Sequence, residues 1–239
     1  MDIGTWGWPA GELADALYPP DLPEEWRVGF FSGLFRCVTL PAELWRAADA
    51  EAWAEWLAEV PENFGFYLEQ GGASAAELAT AAVTLGSLLH GVLLEPPFAS
   101  GVARAPGQEA LTQLPQALKL WPVALSRDDP LAQAGVRVWS PQAFSVVAAS
   151  SAAEFQAEIM DNAQSLLRSE DEASPQAYAC LGLCRLPARD GVTDWSPLQL
   201  RRILEAAAAR RVCAVVVTSG AEALTVMRQL ETLSGLMSV

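Results

Sequence analysis

Short runs rich in β-branched and aromatic residues alternate with helical periodicity along the chain. That alternation predicts an α/β fold: a small TIM-barrel-like (β/α)8 ring, irregular around strands 5 and 6. Three observations carry the prediction. The 239 residues suit one α/β barrel, and no Gly/Ser- or Pro-rich linker divides them, so residues 1–239 read as a single domain. Eight strand-like runs recur at roughly 30-residue intervals, about the minimum for a strand plus its crossover helix. The composition, 51% apolar and 18% charged, gives a large core to bury and excludes a disordered chain.

Taken in order, the strands are expected at Asp2 to Thr5, Arg36 to Leu40, Phe64 to Glu69, Val92 to Glu95, Pro122 to Leu125, Val136 to Trp139, Tyr178 to Cys184 and Val212 to Val217. The helices between them announce their starts. Ser196-Pro197-Leu198-Gln199 places a cap, a proline at the first helical position and a glutamine three residues after the cap. Leu200, Ile203, Leu204 and Ala207 then fall on one face. Ser74 with Glu77, Ser151 with Glu154 and Ser219 with Glu222 repeat the capping-box spacing. The last helix is expected to bury Ala223, Val226, Met227 and Leu230. Trp45, Ala48, Ala52 and Trp56 also lie at helical spacing, which packs at least the two indoles against the barrel. Two regions resist the scheme. Ser126 to Gly135 holds barely two helical turns with Pro130 inside, so the fifth crossover is cramped. Ala143 to Ala149 also reads as a strand, extending or replacing the sixth.

Charge narrows the partners. Fifteen basic residues face twenty-nine acidic ones, a net charge of -14. Such a field repels phosphate backbones and anionic lipid, so neither nucleic acid nor a membrane is expected as a partner. No apolar run approaches the ~20 residues of a membrane span, and no secretory leader pattern opens the chain, which makes the cytoplasm the expected compartment. Cys37, Cys180, Cys184 and Cys213 fall in apolar strand-like segments and read as small buried thiols. Along a strand, Cys180 and Cys184 would stand about 13 Å apart, beyond disulfide reach. No cofactor and no metal is implied. The single histidine, His90, precedes its expected strand and so lies at the rim opposite barrel chemistry.

The opening Ile3-Gly4-Thr5-Trp6-Gly7-Trp8, followed by Tyr18-Pro19 and Leu22-Pro23, resembles the start of the YecE-like family, TIM-barrel proteins of unknown function. Val60 to Phe66, Leu85-Gly86 and Leu93 to Phe98 with Pro96-Pro97 are similar to further segments of that family, as is the order of elements from Trp195 to Leu233. The resemblance implies a barrel and a set of polar residues at strand ends, most of which this chain lacks. Where the family carries a lysine after the third strand, this chain has Glu69. Its Val-Glu-x-Asn is matched by Val38-Thr39-Leu40-Pro41, its Arg-x-His falls near Cys180 to Gly182, and its closing Asn-Asn becomes Thr218-Ser219. Of its Glu-x-Arg-His, which falls on Leu125 to Asp128, only Arg127 survives.

In a barrel, chemistry sits where the strands end. Glu69 and Glu95 would close adjacent strands and could serve as acid and base; solvated or Arg-paired carboxylates are the plainer outcome. Arg127, Asp128, Arg185 and Asp190 would add polar groups to the rim. Thr218-Ser219-Gly220 opens the last helix, where backbone amides favour an anion and Glu222 competes for the same place. Trp6 and Trp8 follow the first strand in a glycine- and proline-rich loop, and either contact a ligand or close the top of the barrel. Two functions compete on these residues. The first is a non-catalytic binding or interaction protein with a degenerate active site, its ligand or protein partner meeting the Trp6/Trp8 loop and the Glu69, Glu95 and Arg127 rim, with Thr218 and Ser219 as further ligand-binding candidates. The alternative is a hydrolase or isomerase of a sugar-like substrate using Glu69 and Glu95 with Arg127.

Overall fold

The computed structural model describes residues 1–94, 119–122, 127–128, 130–134, 136–140, 182–187, 195–209, 212–220 and 222–237. Their strands are β1 (Asp2–Trp6), β2 (Cys37–Leu40), β3 (Gly65–Glu69), β4 (Leu89–Leu93), β5 (Lys119–Pro122), β6 (Arg137–Ser140), β7 (Leu183–Leu186) and β8 (Ala214–Thr218), and they close into a barrel in chain order. The helices are α1 (Glu12–Leu17), α2 (Arg27–Leu34), α3 (Ala42–Ala47), α4 (Ala50–Glu59), α5 (Ala75–Leu85), α6 (Pro130–Gln133), α7 (Pro197–Ala209) and α8 (Ala223–Met237). The predicted eight-stranded α/β ring is the observed one, and its irregularity falls where the sequence is cramped.

That irregularity is a reversed strand. β6 pairs antiparallel with both β5 and β7, while every other neighbouring pair is parallel. A parallel return needs a crossover of about a dozen residues or more with its helix packed on the sheet. The segment before β6 has one described helical turn, α6. Running β6 back down the barrel removes the need for the crossover. It also brings the first residue of β6, Arg137, level with Arg185 near the end of β7.

Alternation along the strands sorts side chains into two layers. Trp6, Cys37, Tyr67, Leu93, Leu120, Trp139, Leu183, Ala214 and Val216 form the cluster inside the barrel. Ile3, Val38, Leu40, Phe66, Leu68, Val92, Val138, Leu186, Val215 and Val217 face outward into the layer shared with the helices. Gly4 is glycine because β1 and β2 approach so closely: a Cβ there would overlap the Cys37 carbonyl.

Several boundaries move from their expected places. β4 begins at Leu89 rather than Val92, because α5 ends at Leu85 and a 3-10 turn over Gly86–Leu88 delivers the chain early. His90 therefore lies within β4, at a register shift where Phe66 faces Leu89 and Tyr67 faces Gly91. β7 begins at Leu183, later than expected, and β5 lies earlier. The helical spacing of Trp45 and Trp56 spans two helices, since the backbone is extended at Ala48 and Asp49 caps α4 by accepting from the Ala52 amide at 2.9 Å. Both indoles are buried, as their spacing predicted.

The Ser74–Glu77 and Ser196–Gln199 boxes form with reciprocal hydrogen bonds. α8 begins only at Ala223, so Glu222 stands ahead of the helix and the Ser219 box is not made. Ser151, Glu154 and the strand-like Ala143 to Ala149 lie outside the described residues. Cys37 and Cys184 are free and buried as expected. Cys213 differs: it is disulfide-bonded, so its Sγ can only accept, and the Tyr67 hydroxyl 3.7 Å away is the donor. Cys180 lies outside the described residues. No helix among the described residues is long and apolar enough to cross a membrane.

Candidate functional site at the barrel mouth

The last inward-facing residues of the strands define the mouth: Trp6 on β1, Thr39 on β2, Glu69 on β3, Leu93 on β4, Arg185 on β7 and Thr218 on β8. Arg137 joins them from the start of reversed β6, sharing the inward parity of Trp139. The Trp6 indole stacks on Trp139 with centroids 5.9 Å apart. Arg185 lays its guanidinium 3.7 Å from the Trp6 centroid, a cation–π geometry that also shields the ring from water. Its Nε donates to Thr218 Oγ1 at 3.1 Å, and Thr218 donates to the Leu186 carbonyl at 2.8 Å. The Thr218 hydroxyl thus orients the arginine.

Electrostatics at this point are mixed. Burial lowers the Arg185 pKa, the charge of Glu69 opposes that shift, Arg137 reinforces it and Glu43 opposes it. No carboxylate among the described residues lies within ion-pair distance of Arg185 or Arg137. Glu69 turns toward the start of α3, its Oε2 accepting from the Ala42 amide at 3.4 Å, while its backbone carbonyl accepts from Trp45 Nε1 at 2.9 Å. Thr39 presents a wholly buried hydroxyl with no hydrogen-bond partner.

The residues singled out in the sequence scatter. Trp6, Thr218, Arg185 and Glu69 converge at the mouth. Trp8 does not, because Gly7 at φ +82° turns the chain outward. Its indole packs between barrel and helices against Phe31, Trp56, Phe64 and Phe66. Ser219 is half-buried beyond the end of β8, and Arg127 and Asp128 are exposed in a turn. Glu95 and Asp190 lie outside the described residues. Arg137, Trp139 and Thr39 escaped the sequence reading as site residues. Strand parity was their only signal, and for Arg137 a parallel sixth strand would have put it at the opposite end of the barrel from the mouth.

At the opposite end, His90 meets Asp2 through its charge and Tyr67 through its ring. Among the described residues no group of three or more His, Cys, Asp or Glu side chains is arranged to hold a metal ion.

Comparison with known proteins agrees with this barrel. No curated protein matches the chain. A solved DUF72 family protein from Thermotoga maritima MSB8 is 12% identical, with 98% of each chain covered and a TM-score of 0.51. Another from Enterococcus faecalis V583 is 13% identical, covering 100% of this chain and 97% of that one, with a TM-score of 0.44. The first likeness supports the fold alone. Residues 2–73, which hold β1 to β3 and the Trp6 end of the mouth, match the model of the family described as protein of unknown function DUF72.

Proposed function

We propose that this chain is a non-catalytic binding protein, a YecE-like barrel with a degenerate active site whose mouth holds a small molecule without transforming it. One observation carries the reading. The only histidine in the chain, His90, sits near the start of β4, at the far end from the mouth, while Trp6 and Trp139 fill the interior beneath the mouth. General acid–base chemistry needs a titratable group within hydrogen-bond reach of the reacting atoms. The described mouth offers an indole, an arginine held in place, a threonine whose hydroxyl is engaged and one carboxylate, Glu69, which is turned toward the Ala42 amide. A cation held in one orientation over a buried indole is suited to recognition.

The test is incubation of the intact protein with a mixture of small metabolites, followed by ligand-observed NMR and mass spectrometry of the recovered compounds. The expected result is saturable binding of a compound recovered unchanged, weakened by Trp6→Leu. Conversion of any bound compound at a rate proportional to protein concentration would defeat the reading.

A further inference from the structure

We propose that the mouth takes an oxyanion, the carboxylate or phosphate group of a small molecule, on the guanidinium fork of Arg185 with Arg137 beside it. The inference rests on the binding reading above and names its ligand class.

Arg185 is fixed from two sides. The Trp6 ring supports its face at 3.7 Å and Thr218 accepts from its Nε at 3.1 Å. Among the described residues neither terminal nitrogen of the fork makes a hydrogen bond, and no carboxylate reaches ion-pair distance. A planar fork held in one orientation with its outer donors open matches the two oxygens of a carboxylate or phosphate.

Arg137 is the second observation. It is the register partner of Arg185 across the antiparallel β6–β7 pair, so two cations stand directly opposite each other. Like charges in that position repel and destabilise the sheet unless an anion lies between them. In a chain with fifteen basic residues against twenty-nine acidic ones, pairing each arginine with a carboxylate would be easy. Glu69 and Glu43 act on Arg185 only through space, and reduce the repulsion without occupying the fork. The indole beneath the fork would report on binding, since an anion drawing on Arg185 changes the field at the Trp6 ring.

The experiment is titration of the intact protein with inorganic phosphate and, separately, with malonate, at ionic strength held constant with sodium chloride. Heat and tryptophan fluorescence are read together, on wild type, Arg185→Gln, Arg185→Lys and Arg137→Gln. The expected result is one saturable site for at least one of the two anions, weakened about 10-fold or more in Arg185→Gln. Arg185→Lys should be intermediate because it keeps the charge and loses the fork. Arg137→Gln, at an exposed side chain, should weaken binding several-fold. Whichever anion binds tighter identifies the group as phosphate or carboxylate. Wild-type affinity in both glutamine variants, or no response beyond that of sodium chloride, would overturn the assignment. If the anions fail while an uncharged compound binds at the mouth, the oxyanion assignment falls and the binding reading stands; turnover would remove the binding reading itself.

Discussion

His90 stands edge-on to Tyr67, ring centroids 6.0 Å apart and planes at 89°, and it occupies the register shift between β3 and β4. The contact requires Gly65 on the neighbouring strand, where a Cβ would collide with His90 Nδ1. That nitrogen is buried without a hydrogen-bond partner.

The relationship predicts a pH dependence. Burial holds the His90 pKa below its ordinary value of 6.5, opposed by the charge of Asp2. A histidine with a depressed folded pKa binds protons more readily in the unfolded chain, so its contribution is full above pH 6.5 and is lost as pH falls through the folded value. Asp2, whose pKa burial raises, acts in the opposite sense and nearer its ordinary value of 3.8, where acid relieves a buried charge. Urea unfolding at pH 7.5 and pH 5.5 should therefore show wild type losing stability on acidification and His90→Gln losing less. Parallel slopes for the two proteins would contradict this account.

Gly4→Ala should be severe. The added methyl meets the Cys37 backbone, which cannot move without breaking the β1–β2 pairing. A loss of about 3 kcal/mol or more is expected, measured by denaturant unfolding. A loss below ~1 kcal/mol would show that the strands can separate at small cost.

Thr39→Val should stabilise the unliganded protein. The wild-type hydroxyl is fully buried and unpartnered, so replacing it with a methyl of similar size removes an unsatisfied polar group worth about 1–3 kcal/mol. Calorimetry on both proteins would measure it, and a destabilised variant would reveal an ordered water serving that hydroxyl.

Ser74→Ala removes a cap that accepts from the Glu77 amide while Glu77 accepts from Ser74 in return. The melting temperature should fall by roughly 2–4 °C. The hydrogen bonds from Ser74, joined by Arg46, bring the Glu77 carboxyl down to about 2. A carboxylate held low contributes above its unfolded value of 4.5 and loses that contribution as acid approaches pH 2. Titration followed by carboxyl NMR should find Glu77 returning toward 4.5 in the variant.

The ring of eight strands was legible in the sequence because hydrophobic periodicity and capping serines are local signals. Ser74 with Glu77 and Leu200 with Ile203 needed nothing beyond their own helices to declare themselves. The sequence puts Trp6 in the loop after the first strand, whereas β1 runs on through Trp6 and carries its indole into the barrel. Trp8, two residues on, has the same chemistry and a different fate, settled by the positive φ of Gly7 and the aromatic pocket waiting behind it.

The mouth was another matter. Arg185 appeared in the sequence as one rim residue among several, and Arg137 did not appear at all. Their adjacency depends on the direction of β6, and strand direction leaves no mark on the residues of the strand itself. By itself the sequence determined that the chain alternates strand and helix, where α5 and α7 begin, and which faces are apolar, because those properties are decided within a few residues. Only the tertiary structure decided that β6 runs backwards, and with it that two arginines more than forty positions apart share one end of a barrel floored by indoles. The physical reason is that strand pairing is a long-range choice, set by how short the connection into β6 is and by which partners remain unpaired when the ring closes.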